Sequence, residues 1–145
     1  MMDLPFRRID PGAALPEAHH PGDAGLDLRA NADMEVLPGG RAMIPTGVAV
    51  AIPDGHAGLV LPRSGLASKH GLTLANSPGL IDAGYRGELI VAVVNLDRTD
   101  AVTITKGERI AQLVIVALPS VVPGWVDALP DSARGTGGFG STGSA

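Results

Sequence analysis

The 145-residue sequence contains no cysteine, which excludes disulfides, thiolate metal sites and a cysteine nucleophile. Aromatic residues are almost as scarce, at 3 % against 45 % hydrophobic residues overall. A core must therefore be assembled from Val, Ile, Leu and Ala, a composition that favours β-branched packing. No basic run occurs and the formal net charge is -4, which argues against a surface for DNA or RNA but leaves room for a small anionic ligand. No apolar run approaches the roughly 18 residues of a membrane span, and the opening MMDLPFRRIDPG carries charges where a secretory leader needs an apolar stretch. The expectation is a soluble, cytoplasmic chain with no membrane partner. No GxxxxGK[ST] phosphate loop is found. The histidines offer no metal spacing: His19 and His20 are adjacent and diverge on an extended chain, and His56 and His70 stand alone.

What is abundant is punctuation. Twenty Gly and 12 Pro interrupt the chain every few residues, leaving little room for a long helix. Short apolar or alternating runs predict strands over Leu4 to Ile9, Ala24 to Arg29, Arg41 to Ile44, Gly47 to Ile52 and Gly58 to Leu61. The pattern resumes over Leu89 to Leu96, Ala101 to Thr105 and Arg109 to Leu118, and the run after Glu88 is apolar enough to face a core on one side and a subunit contact on the other. One short helix is predicted over Gly65 to His70, with Ser64 as N-cap and Gly71 as its stop. The reading is all-β, with a sandwich- or barrel-like body over residues 1–118, a Pro-interrupted arm over 119–133 and a Gly-rich tail over 134–145. The tail cannot bury enough apolar surface to order itself alone.

Several segments carry side chains suited to chemistry. In LPRSGLASKHG a strand ends in Arg63, Ser64 and Gly65 and opens the helix, so a guanidinium, a hydroxyl and free amides meet where phosphate oxygens could bind; an ordinary turn with a surface Arg would look the same. NSPGLIDAGYRGE reads as a short hairpin with exposed backbone able to pair with a base edge. Within it Asp82 is either a turn former or a carboxylate, held by local structure, that takes a proton from water. Tyr85, the single Tyr, is either a core aromatic or a plane on which a sugar packs. In KGERIAQ, Arg109 and Gln112 have opposite strand parity, so only one is expected to meet a ligand. Asp27, in GDAGLDLRA, faces solvent or else a site where it could hold a magnesium ion through water. In the tail, RGTGGFGSTG sets an Arg and a Phe among glycines and hydroxyls, able to touch phosphate and base.

Taken in order, AGLDL, PRSGLASKHG, NSPGLIDAGYRGE, KGERIAQ and RGTGGFGSTG resemble the five motifs of the dUTP pyrophosphatase (dUTPase) family and span Ala24 to Gly143. The resemblance implies a jelly-roll-like, distorted β-barrel assembled as a homotrimer by exchange of C-terminal arms, with composite sites at the subunit contacts. It implies hydrolysis of dUTP to dUMP and pyrophosphate with Mg²⁺, which keeps uracil out of DNA and supplies dUMP for thymidylate synthesis. Carried over by motif position, Asp82 is the general base acting on water at the α-phosphorus. Arg63, Ser64, Gly65 and Gln112 hold the phosphates, and Asp27 sits near Mg²⁺ through its waters, the ion being chelated mainly by the triphosphate. Asn76 and the backbone of Leu80, Ile81 and Ile90 read uracil, and Tyr85 lies beneath the sugar and excludes a 2′-hydroxyl. From the tail, Arg134 reaches the γ-phosphate, Phe139 stacks on uracil, and Gly140, Ser141 and Thr142 add phosphate contacts.

The related dCTP deaminases share the fold and the nucleotide, but they use a Glu on the strand after the hairpin, where this chain has Ala92, and lack such a tail. A nucleotide-binding trimer that had lost hydrolysis would be expected to lack Asp82, Tyr85 or the tail, and all are present. Trp125, the single Trp, lies on the arm and is expected to be buried at a subunit contact.

Overall fold

A computed structural model describes residues 2–138 of the chain. Its strands are short because Gly and Pro turns end them: β1 (Phe6–Arg8), β2 (Leu26–Arg29), β3 (Met34–Val36), β4 (Arg41–Pro45), β5 (Val48–Val50), β6 (His56–Pro62), β7 (Leu72–Leu74), β8 (Gly79–Asp82), β9 (Ile90–Asn95), β10 (Val102–Ile104) and β11 (Arg109–Ala117), with α1 (Ser64–His70) between β6 and β7. They form antiparallel sheets in the orders β2-β11-β6-β8, β4-β9-β7, β1-β5 and β10-β3. The all-β, jelly-roll-like expectation holds, with the strands shared among open sheets; among the described residues none closes into a barrel. No helix among them is long and apolar enough to cross a membrane.

The core is aliphatic, as the scarcity of aromatics requires. Leu28, Ile44, Leu89, Ile104, Leu113, Val36, Val50, Val91 and Val93 are fully buried between the sheets, each worth roughly 1.5–3 kcal/mol of transfer free energy. One polar side chain joins them: Asn95 donates to the carbonyls of Val36 (3.0 Å) and Asp100 (2.8 Å) and accepts from the amide of Asp97 (2.9 Å), so its burial leaves no lone donor.

Two local expectations change. Segment 76–88 is not a hairpin: β8 pairs with β6 and β7 pairs with β9, so the segment is a corner joining the two larger sheets. Buried Gly79 makes this possible, since a Cβ there would come within 3.3 Å of Val60 Cβ. Arg63, not Ser64, is the N-cap of α1; its extended backbone (φ -93°, ψ 125°) ends β6, and among the described residues no side chain caps the helix start. The predicted stop is met by Gly71, whose left-handed φ of 64° suits a residue without Cβ.

Along β9 the burial alternates. Val91, Val93 and Asn95 point into the core, while Ile90 on the other face is 48 % exposed in the single chain. After the Leu118 amide bonds to the Gly55 carbonyl (2.7 Å), the arm leaves the body. Val121, Val122, Trp125, Val126 and Leu129 on it are exposed, Trp125 completely so.

Candidate active site

A cleft of about 340 Å³ opens where β2, β11 and the β6–α1 joint meet, and Asp27, Arg63, Ser64, Gly65, Arg109 and Gln112 all line it. The register explains the convergence. Asp27 pairs directly with Gln112, whereas Arg109 pairs with Arg29 and Ala111 with Leu28, so Ile110 is an extra residue in β11. This bulge reverses parity between Arg109 and Gln112 and turns both side chains into the cleft, correcting the expectation that only one could face it. Ile110 and Ala111 are consecutively buried, as a bulge demands.

Asp27 is the centre of the cleft's charge. Its Oδ2 accepts from Arg109 Nη1 at 3.0 Å and its Oδ1 lies 3.5 Å from Arg63 Nε, with all three side chains less than a third exposed. Arg63 Nη1 also donates to the Arg109 carbonyl (3.1 Å), and Gln112 Nε2 to the Pro62 carbonyl (3.0 Å). Asp27 and Asp23 balance the two guanidiniums in charge, but Arg63 and Arg109 keep N–H groups to spare, and the Ser64 hydroxyl, which makes no hydrogen bond among the described residues, adds another donor. Such an arrangement suits an anion with several oxygens.

Sequence reasoning passed over some of the lining. Gly25 has no room for a side chain, because a Cβ would fall 2.5 Å from Gln112 Oε1 and 3.1 Å from its Cβ. His19 and Asp23 also face the cleft. The His20 amide donates to Asp23 Oδ2 (2.8 Å), a turn that brings the His19 and His20 rings edge to face at 4.4 Å, so they do not diverge.

The corner segment lies elsewhere. Asp82 pairs with Ala57 at one end of β6, while Arg63 follows the other end; at about 3.3 Å per residue these points are about 20 Å apart. Asp82 is exposed, and among the described residues its carboxylate makes no hydrogen bond, so local structure does not hold it as expected. Leu80 and Asp82 point outward while Ile81 packs on the core. Tyr85 is not a core aromatic: it is 43 % exposed and its hydroxyl donates to the Glu88 carbonyl (2.9 Å). Asn76 is exposed, packed over Gly79, and Ile90 belongs to the other sheet, opposite Pro45. Arg134 is turned onto its own segment, its Nε donating to the Gly137 carbonyl (2.8 Å), and does not line the cleft. Phe139, Gly140, Ser141 and Thr142 lie outside the described residues.

For a metal the donor set is sparse. Among the described residues no three His, Cys, Asp or Glu side chains converge, and Asp27 is already engaged by two cations. Asp27 and Asp23 in one polar cleft fit a hard cation that keeps its waters and takes most of its ligands from a bound phosphate.

The dUTPase family profile matches residues 12–143. The deoxyuridine 5'-triphosphate nucleotidohydrolase of Thermobifida fusca (strain YX) is 55% identical over 138 residues, covering 95% of this chain and 77% of the relative. That of Streptomyces avermitilis is 54% identical over 142 residues, covering 98% and 81%. Among solved structures, the dUTPase of Staphylococcus bacteriophage 80alpha with dUPNHPP superposes with a TM-score of 0.93 at 34% identity, over 99% of this chain and 100% of that one. A variant dUTPase from phage phi11 of S. aureus, described with a coordinated structural Mg(II) ion, gives 0.82 at 30% identity over 88% and 98%. A match that begins ahead of the cleft's first residue and runs into the Gly-rich tail, together with relatives of this identity, makes the chain a member of the dUTPase family.

Proposed function

We propose that this chain is a dUTP diphosphatase that hydrolyses dUTP to dUMP and pyrophosphate by attack of water on the α-phosphorus. The observation that carries the reading is the cleft, where Arg63, Ser64, Gly65 and Gln112 face one open volume with Arg109 and Asp27 bracing Arg63. Preset donors of this kind stabilise charge as it builds on a phosphoryl group without reorganising.

The general base is Asp82, and it acts from a neighbouring subunit. A base must come within hydrogen-bond reach of the water it activates, and about 20 Å along β6 separates Asp82 from the cleft of its own chain. A second copy supplies the missing half. The exposed arm around Trp125 and the open face of β9 at Ile90 are the apolar surfaces that a homotrimer would cover. In that assembly the backbone of Leu80, Ile81 and Ile90, with Asn76, reads uracil, and Tyr85 lies under the sugar and rejects ribose. The tail of a third chain closes the site, with Arg134 on the γ-phosphate, Phe139 on the base, and Gly140, Ser141 and Thr142 on the phosphates. Asp27 and Asp23 would hold Mg²⁺ through its waters, and the ion would supply positive charge to the triphosphate oxygens.

The test is pyrophosphate release from dUTP, dCTP, dTTP and UTP with Mg²⁺, beside the Asp82→Asn chain and one lacking residues 134–145. Only dUTP should turn over rapidly, and both altered chains should lose turnover while staying trimeric. Similar rates on all four substrates would defeat the specificity reading, and an active Asp82→Asn enzyme would defeat the mechanism.

A further inference from the structure

We propose that Gly87 and Glu88 are specificity-determining positioning residues: they fix the tilt of the Tyr85 ring and through it the preference for deoxyribose over ribose. The inference rests on the reading of Tyr85 as the surface beneath the sugar. In the single chain Tyr85 is 43 % exposed, so the core of its own subunit does not set its orientation, and its contacts within the segment do.

Two of those contacts are specific. The phenol donates to the backbone carbonyl of Glu88 at 2.9 Å. The ring passes over Gly87, where a Cβ would stand 2.6 Å from Tyr85 Cζ and 3.0 Å from Cε2, so any larger residue must push the ring outward.

Glu88 is itself held from the core. Its Oε1 accepts from the Gly47 amide at 2.7 Å. The next residue is clasped by the turn between β4 and β5: the Leu89 amide donates to the Val48 carbonyl (2.8 Å), and the Leu89 carbonyl accepts from the Thr46 amide (3.2 Å) and hydroxyl (2.6 Å). Thr46 is buried. Gly47 has a φ of 72°, and a Cβ there would lie 2.6 Å from Ala13 Cβ and 2.8 Å from Asn31 Nδ2, so this turn has one fixed form. A rigid path therefore runs from the buried turn through the Glu88 side chain to the phenol. A carboxylate on a backbone amide makes a charge-assisted bond, stronger than a neutral one. Rejection of a 2′-hydroxyl depends on the gap between ring and sugar, and a shift on the order of 1 Å is enough to change it.

The test compares kcat/KM for dUTP and for UTP in the full trimeric enzyme and its variants. Glu88→Ala and Gly87→Ala should each lower the dUTP/UTP ratio by about tenfold, and Tyr85→Phe by a smaller factor. Glu88→Gln keeps an acceptor oxygen facing Gly47 and should hold the ratio close to the parent's. Equal losses on both substrates, or an unchanged ratio in Glu88→Ala and Gly87→Ala while Tyr85→Ala lowers it, would overturn the proposal and leave the role of Tyr85 standing. A ratio untouched by Tyr85→Ala would remove the underlying reading and this inference with it. If Glu88→Ala does not fold, Gly87→Ala and Tyr85→Phe decide by the same ratio.

Discussion

The cleft and the corner segment differ in how their functional side chains are held. In the cleft, Asp27, Arg63, Arg109 and Gln112 bond one another or adjacent backbone, so the proposed anion-binding half is preassembled within one chain. At the corner, Asp82 and Asn76 stand exposed with no side-chain hydrogen bond among the described residues, while Tyr85 is tied down through Glu88. A half-site braced by ion pairs couples binding to stability, whereas one that presents unbonded side chains couples them to assembly instead.

The comparison can be broken by mutation. Asp82→Asn should cut turnover by about a thousandfold, yet change unfolding free energy by less than about 0.5 kcal/mol, because it alters an exposed group with no hydrogen bond among the described residues. Denaturant unfolding beside steady-state kinetics checks both. Asp27→Asn should lower kcat/KM by about a hundredfold and also destabilise the chain, by about 1–2 kcal/mol, since two guanidiniums then face each other without their counter-charge. An Asp27→Asn enzyme of unaltered stability would mean that the cleft is not braced by these ion pairs. Gly25→Ala should raise KM for dUTP roughly tenfold with little change in kcat, as the new methyl displaces the Gln112 amide.

The smallest effect belongs to neither region. The backbone amides of Asp100 and Thr99 bond the Asp97 carboxylate and hold its pKa below the ordinary 3.8. A group with a depressed folded pKa stabilises above its unfolded value and loses that contribution as pH falls through the folded one. Asp97→Asn should therefore lower the thermal midpoint slightly at neutral pH and leave activity alone. The difference should fade below pH 3.8.

Much of the molecule is legible in its residues. The aliphatic core follows from a chain with few aromatics, and α1 with its Gly71 stop is visible in SGLASKHG. The convergence of Arg109 with Gln112 escapes a reading by strict parity, although its signal is present. Two apolar residues, Ile110 and Ala111, stand between two polar ones, which strict alternation forbids and a bulge permits. The pairing of β8 with β6 is hidden for another reason: turn residues at Pro78-Gly79 and Ala83-Gly84 mark where the chain bends but not which strand it bends toward, and the choice rests on Gly79 fitting against Val60. Gly25 can be found only once the register is known, as the residue two before Asp27, the partner of Gln112, and so diagonal to the Gln112 side chain.

The split between the two regions is tested most directly by mixing chains. On the proposed composite site, Arg63→Ala lacks one half and Asp82→Asn the other, so each altered protein alone should be nearly inactive. Co-assembled in equal amounts, they should recover about a quarter of parental activity, because random mixing of a composite site pairs an intact Arg63 with an intact Asp82 from another chain in that share of sites. No recovery in verified mixed trimers would show that Arg63 and Asp82 of the same chain serve one site, which would contradict a site shared between subunits.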